Sequence, residues 1–96
     1  MSKRVFEIVE SGQSGERTWR LRGRAYNDIR IGDEVFVETA RGDISQSQPY
    51  RVIAISTYGQ EVEELSRMLT GDLIVQGDNC PLLRQGTMLV SIAAND

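Results

Sequence analysis

The segment TWRLRGRAYNDIRIGDEVFVE, residues 18–38, is the most informative about the fold, because it contains two alternating strand patterns joined by a corner. Side chains on a strand point alternately to its two faces. Arg20, Arg22 and Arg24 therefore share one face, and the opposite face is apolar or small. The pattern predicts a strand whose arginines face solvent while its other side faces a core. The residues predicted to face the core are Trp19, Leu21, Gly23 and Ala25.

Three glycines, Gly32, Gly71 and Gly86, each separate one apolar run from the next. Glycine readily adopts the backbone angles that tight corners require. We therefore expect a corner at each of these three positions, with short strands on both sides of it. Short apolar runs separated by glycine corners are typical of a small all-β domain.

The rest of the chain divides into apolar runs and polar connections. Residues 60–69 are ambiguous, because apolar side chains at helical spacing follow a group of glutamates. The spacing favours a short helix near 61–68 over an irregular connection between strands. Further strands are predicted at residues 4–10, 34–39, 50–58, 72–77 and 87–92. Loops are predicted at residues 11–15, 40–48 and 78–83.

Length and composition limit the class of protein. The chain has 96 residues, enough for one modest core, so residues 1–96 are expected to form a single domain. No apolar run approaches the roughly 20 residues that a membrane helix needs. Cys80 is the single cysteine, which excludes an internal disulfide and suits a reducing compartment. We therefore expect a cytoplasmic protein without a membrane partner.

Few features of the sequence indicate catalytic chemistry. The chain has no histidine, which removes the commonest general base and the commonest metal ligand. Cys80 consequently lacks the partner that would activate its thiol. We expect neither an enzyme, nor a cofactor, nor a bound metal.

The ordered landmarks of the chain resemble those of domain II of the translational GTPases, the domain found in elongation factor Tu and its relatives. They span roughly residues 4–90 and follow the family's order. The landmarks are Val5-Phe6-x-Ile8, Arg22-Gly23-Arg24, the run from Ile29 to Val35, Gly71-Asp72, and Leu83-Arg84-Gln85-Gly86-x-Met88-Leu89.

The resemblance implies an all-β fold, a six-stranded antiparallel closed β-barrel. In the family this barrel is not the catalyst, and the sequence lacks the Gly-x-x-x-x-Gly-Lys-Ser/Thr motif of a GTP-hydrolysing domain. In elongation factor Tu the barrel helps to hold the aminoacylated end of transfer RNA. The acidic pair that directly precedes the Val-Phe of the first strand there is Lys3-Arg4 in this chain, so we do not extend that pocket to it.

Cations are concentrated near the N-terminus. Residues 1–30 carry seven cations and four acids, whereas residues 31–96 carry four cations and ten acids. Three guanidiniums at alternate strand positions would stand about 6–7 Å apart, because a strand rises about 3.3 Å per residue. That spacing suits successive phosphates of a single strand or of an RNA backbone. The candidate nucleic-acid-binding residues are Arg20, Arg22 and Arg24, which we name the arginine row, extended by Arg17 and Arg30.

A different role for the arginine row is also open. Its members could instead pair across strands with exposed glutamates such as Glu7, Glu34 or Glu38. Acids outnumber bases in the whole chain, whose net charge is −3, and this favours such pairing.

Phe36 is the candidate for a protein-binding site. It alternates with Val35 and Val37, so burial of the two valines would expose the phenyl ring. An exposed aromatic ring beside Glu34 and Glu38 would suggest a partner-binding patch. Trp19, by contrast, is expected to be sealed inside the fold.

Two functions are compatible with these patterns. The first, which rests on the resemblance, is a non-enzymatic, stand-alone binding module that contacts ribosomal or transfer RNA, or a translation component, through the arginine row. The alternative is a protein–protein interaction domain that has reused the same barrel for an unknown partner. Fold alone does not decide between them.

Overall fold

The structure is a computed structural model that describes residues 2–38, 49–77 and 86–92. All regular structure in these ranges is β, and a helix able to cross a membrane is absent from them. The predicted loops at 40–48 and 78–83 lie outside the described residues. The strands are β1 Ser2–Gln13, β2 Thr18–Ala25, β3 Ile29–Arg30, β4 Glu34–Val37, β5 Tyr50–Thr57, β6 Gln60–Val62, β7 Glu64–Leu65, β8 Thr70–Gln76 and β9 Met88–Ile92.

Six antiparallel strands pair in a ring. Their order is β4-β9-β1-β2-β8-β5, and β5 also pairs with β4. Strand β6 extends the sheet beyond β5, and β3 and β7 form a separate two-stranded sheet. The structure confirms the predicted all-β character and the six antiparallel strands.

One cluster of apolar side chains forms the core. The alternation in β2 is as predicted, since Leu21 and Ala25 are fully buried while the arginine row is exposed. Fully burying one large apolar side chain contributes about 1.5–3 kcal/mol. The largest fully buried side chains are those of Tyr50, Phe6, Ile8, Leu21, Ile29, Ile55, Leu65, Leu73 and Leu89.

Gly23 allows β1 and β2 to approach closely. A Cβ atom at this position would lie 1.9 Å from the carbonyl oxygen of Glu7, a distance that no side chain tolerates. Strand β1 also carries a bulge between Ile8 and Glu10, opposite this part of β2. Glycine at position 23 therefore sets how the arginine row lies against β1.

Two of the three predicted glycine corners are confirmed. Gly32 and Gly86 have φ angles of +99° and +86°, which favour glycine. The corner predicted at Gly71 is wrong, because this residue is buried within β8. A Cβ atom there would lie 2.8 Å from the carbonyl oxygen of Ser56 on the neighbouring β5. Close packing of two strands, rather than a turn, requires this glycine.

The predicted helix near 61–68 is wrong. Residues 60–62 and 64–65 are the short strands β6 and β7. Leu65 is fully buried and pairs with Ile29, and Val62 pairs with Ile55. Pairing with strands distant in the sequence thus overrides the local helical spacing. The loop predicted to begin at residue 11 is also wrong, because β1 continues to Gln13 opposite Trp19.

Candidate nucleic-acid interface

The arginine row lies on the outer face of β2 between β1 and β8. Arg20 pairs in register with Ile74, Arg22 with Asp72, and Arg24 with Thr70. This register brings one carboxylate between two guanidiniums on the same outer face. Long-range strand pairing, and not sequence proximity, creates the contact.

Asp72 binds two members of the row at once. Its Oδ2 accepts hydrogen bonds from Arg20 Nε at 3.1 Å and Nη2 at 2.6 Å, and its Oδ1 accepts one from Arg22 Nε at 3.0 Å. The side chains of Arg20 and Arg22 remain 57% and 52% exposed, whereas that of Asp72 is 14% exposed. The carboxylate therefore orients two guanidiniums that still face solvent.

The ionisation of Asp72 reflects this arrangement. Burial acts to raise the pKa of its carboxyl group, but hydrogen bonds and charge from Arg22 and Arg20 outweigh burial. The pKa of Asp72 consequently lies below its ordinary value. The negative charge that holds the two arginines is thus stabilised by them.

The other acids near the row are looser partners. Glu10 Oε1 lies 3.9 Å from Arg22 Nη1, and both side chains are exposed. Glu7 stands opposite Arg24 in the register, but its Oε1 accepts a hydrogen bond from the Tyr26 hydroxyl at 2.6 Å. Within residues 2–38, 49–77 and 86–92, the Arg24 side chain has no hydrogen bond or ion pair.

The arginine row thus pairs across strands with an acid, as the alternative role allowed, but the acid is Asp72 and not one of the glutamates given as examples. Glu38 instead binds Arg4 at 3.1 Å, and Glu34 lies opposite Arg51. Asp72 was not among the predicted site residues, because its position after Gly71 indicated a corner. The charge of Asp72 within an otherwise apolar strand was the available signal.

The two residues expected to extend the row are placed differently. Arg30 lies on β3 in the second sheet, and its Nε donates to Glu64 Oε2 at 2.7 Å. Arg17 is exposed in the turn before β2, where its carbonyl oxygen accepts a hydrogen bond from the Gly77 amide. The structure therefore assembles three arginines on one strand face and places Arg30 in a separate ion pair.

An open cleft of about 430 Å³ lies beside the arginine row. One side of it is formed by Arg20 and Arg22, and another by the hairpin that joins β5 to β6. Tyr58, at the tip of that hairpin, is 86% exposed and was not singled out from the sequence. The lining residues used below are Arg20, Arg22, Tyr58, Glu61 and Asp72.

The two other aromatic predictions need correction. Val35 and Val37 are buried as expected, but Phe36, which pairs with Val90 on β9, is half-buried rather than exposed. Trp19 is half-buried against the core cluster rather than sealed within it. It lies near the end of the β1–β2 hairpin, opposite Gln13.

Comparison with known proteins establishes the fold. No protein-family model and no curated protein matches the sequence. Two crystal structures of translation elongation factor SelB from Methanococcus maripaludis, the apo form and the complex with the GTP analogue GppNHp, each match with a TM-score of 0.73 at 17% identity. Each match covers 92% of this chain and 18% of the SelB chain. The chain thus has the fold of a translation-factor barrel-like domain, which confirms the resemblance inferred from its landmarks.

Proposed function

We propose that this chain is a non-enzymatic binding module that contacts RNA of the translation machinery through the arginine row. The observation that carries the proposal is the Asp72 contact, which holds Arg20 and Arg22 side by side beside an open cleft while both remain more than half exposed. The likeness to SelB supports the setting in translation.

Orientation by Asp72 favours phosphate binding. A free arginine side chain loses up to about 2 kcal/mol of rotamer entropy when it is fixed. Arg20 and Arg22 have already lost part of this freedom in the free protein, because Nε of each is bonded to Asp72. The remaining N–H groups of each guanidinium can donate to phosphate oxygens.

The surrounding acids limit the strength of this binding. Asp72, Glu10 and Glu61 lie along the same surface as the row, so its net positive charge is small. We therefore expect modest affinity with a salt dependence set by about three phosphate contacts. For a single strand this corresponds to a slope of about −2 for the logarithm of affinity against the logarithm of salt concentration.

A binding role accords with the side-chain chemistry of the chain. The sequence has no histidine, the residue that most often serves as a general base near neutral pH. The pKa of Asp72 is displaced downward by its arginine partners, which keeps the carboxylate ionised. An ionised, doubly hydrogen-bonded carboxylate suits a structural role.

Fluorescence anisotropy with a labelled ten-nucleotide single-stranded RNA tests the proposal. We expect Arg22→Glu to weaken binding at least tenfold in low salt, because it reverses a charge in the centre of the row. Arg4→Glu is the matched control, since Arg4 is an equally exposed, ion-paired arginine on the β1–β9 side of the ring. Equal loss in both variants, or no binding by the unaltered protein, would contradict the proposal.

A protein partner is the second candidate function. The observation that favours it is the exposure of Ile31 and Ile53, whose segments are joined by a hydrogen bond from the Gly32 amide to the Val52 carbonyl. Exposed apolar groups of this kind are common in protein interfaces. If the chain fails to bind RNA in low salt, and Ile53→Glu abolishes its co-purification with a translation component, this function replaces the first.

A further inference from the structure

Tyr58 adopts a backbone conformation that tyrosine rarely occupies. It and Gly59 are the two central residues of the β5–β6 hairpin, and their φ angles are +52° and +79°. A two-residue hairpin with both central φ angles positive is a type I′ turn, for which Asn-Gly is the usual sequence. Tyrosine is therefore an unfavourable choice for the first position on conformational grounds.

The fold does not compensate this choice by packing. The Tyr58 side chain is 86% exposed, so its ring contributes little to the core. Met68 is the other non-glycine residue with positive φ among those described, at +77°, and it is 57% exposed. Residues held in sparsely populated backbone conformations cluster at functional sites in proteins.

Both strained residues lie at the same end of the ring. Thr57 Oγ1 donates a hydrogen bond to the Thr70 carbonyl oxygen at 2.9 Å. Tyr58 directly follows Thr57, and the turn that contains Met68 directly precedes Thr70. Their placement leaves the tyrosine ring in solvent beside the cleft.

Cations lie across the cleft from Tyr58. Arg20 and Arg22 line the same cleft, and Arg24 stands opposite Thr70 without an ion pair to another described residue. Strands β2 and β5 are separated by β8, so two strand spacings of about 4.8 Å each place the row about 10 Å from the hairpin. One to two nucleotides of an extended strand span that distance.

We propose that Tyr58 is a stacking platform for an unpaired base of single-stranded RNA, with the neighbouring phosphates held by the arginine row. This inference rests on the proposed function and specifies its ligand as single-stranded. Aromatic side chains stack on the face of any base, but in a duplex those faces are covered by neighbouring bases. An apolar protein side chain is a poorer occupant, because it offers no acceptor to the solvent-facing N–H groups of the adjacent guanidiniums.

Substitutions at position 58 can separate the contribution of the ring to binding from the cost of its backbone conformation. Tyr58→Asn removes the ring but suits the type I′ turn, so it should weaken RNA binding while preserving or raising thermal stability. Tyr58→Phe keeps the ring and serves as the conservative variant. Met68→Gly relieves the strain of the neighbouring turn without removing an aromatic ring, so it is the matched control.

The experiment measures the anisotropy of a labelled ten-nucleotide single-stranded RNA, and of a blunt duplex of the same sequence, together with melting temperature. We expect Tyr58→Asn to weaken single-strand binding about 5- to 100-fold, in line with the loss of one stacked base. Tyr58→Phe and Met68→Gly should stay within about twofold of the unaltered protein. The duplex should bind more weakly than the single strand.

The outcomes separate this inference from the proposed function. If the unaltered protein binds the single strand and Tyr58→Asn binds it equally well, the stacking role is wrong while the role of the arginine row stands. Tighter binding of the duplex, or equal losses in Tyr58→Asn and Met68→Gly, would also overturn the stacking role. If the unaltered protein binds neither RNA, both proposals are wrong.

Discussion

The arginine row and the Tyr58 hairpin border the same cleft, but they are held in place by opposite means. Arg20 and Arg22 are oriented by favourable contacts, since Asp72 accepts hydrogen bonds from both. Tyr58 is held in an unfavourable backbone conformation by the hairpin around it, and its ring makes little use of the core. Stabilised and strained residues thus border the same cleft, and we expect only the strained ones to be replaceable with a gain in stability.

The largest change in stability is expected at Gly23, which sets the position of the arginine row against β1. Gly23→Ala would place a Cβ atom 1.9 Å from the Glu7 carbonyl oxygen, so β1 and β2 would have to separate. We expect a loss of about 3 kcal/mol in the free energy of unfolding, measured by urea denaturation.

Gly12→Ala is the control for this change. Gly12 lies in the same pair of strands opposite Arg20, and a Cβ atom there would meet nothing within 4 Å. Its effect should stay within about 0.5 kcal/mol. Similar losses in both variants would show that close approach at Gly23 does not set the position of the row.

The next largest change in stability is expected at Tyr58, the residue in a strained backbone conformation. Tyr58→Asn should raise the free energy of unfolding by about 1 kcal/mol, because asparagine tolerates the left-handed conformation better than tyrosine does. For a domain of this size such a gain corresponds to a rise of roughly 4–8 °C in melting temperature, measured by calorimetry. A fall in melting temperature would mean that the tyrosine ring stabilises the fold after all.

A smaller change in stability is expected at Asp72, which holds Arg20 and Arg22 in place. Asp72→Asn should lower the free energy of unfolding by about 0.5–1 kcal/mol at neutral pH, since the arginines that lose the charge are more than half exposed. Unlike Tyr58→Asn, this change should lower the melting temperature. Equal stability of the variant and the unaltered protein would show that Asp72 orients the arginines without stabilising the fold.

The smallest expected effect is the pH dependence of the difference in free energy of unfolding between the unaltered protein and Asp72→Asn. The pKa of Asp72 is lower in the folded protein, so its contribution is fully present above about pH 4, near the pKa of an unfolded aspartate. It is lost as the pH falls through the lower pKa of the folded state. Urea denaturation between pH 7 and pH 2 should therefore show the two proteins converge in stability at the acid end. A constant difference would contradict the assignment.

The sequence predicted local patterns well, because these depend on neighbouring residues. The alternation of Arg20, Leu21 and Arg22 follows from strand geometry alone, and the corners at Gly32 and Gly86 follow from the conformational freedom of glycine. Each of these predictions needed only a few consecutive positions.

Pairing between strands that are distant in the sequence could not be predicted from local patterns. The contact between Asp72 and Arg22 depends on the register of β2 with β8, two strands that are separated by many residues. The bulge in β1 shifts the registers further, and no local pattern marks it. For the same reason, pairing of Leu65 with Ile29 could not be foreseen, and the helix was predicted in its place.

The hairpin at Tyr58 was not predicted from the sequence for a different reason. The dipeptide Tyr58-Gly59 follows an apolar stretch and ends in glycine, a hairpin signal that was available. It was missed because the residues after it were assigned to the helix. The tyrosine at the first turn position also departs from the usual Asn-Gly, so the signal was weak.

Contact between the arginine row and RNA can be observed at the arginines themselves, by following their Nε–H resonances by NMR during titration with a ten-nucleotide single-stranded RNA. We expect the resonances of Arg20, Arg22 and Arg24 to shift most, while those of Arg4 and Arg30 change little. Shifts centred on Arg4 or Arg30, or unchanged spectra in low salt, would contradict it.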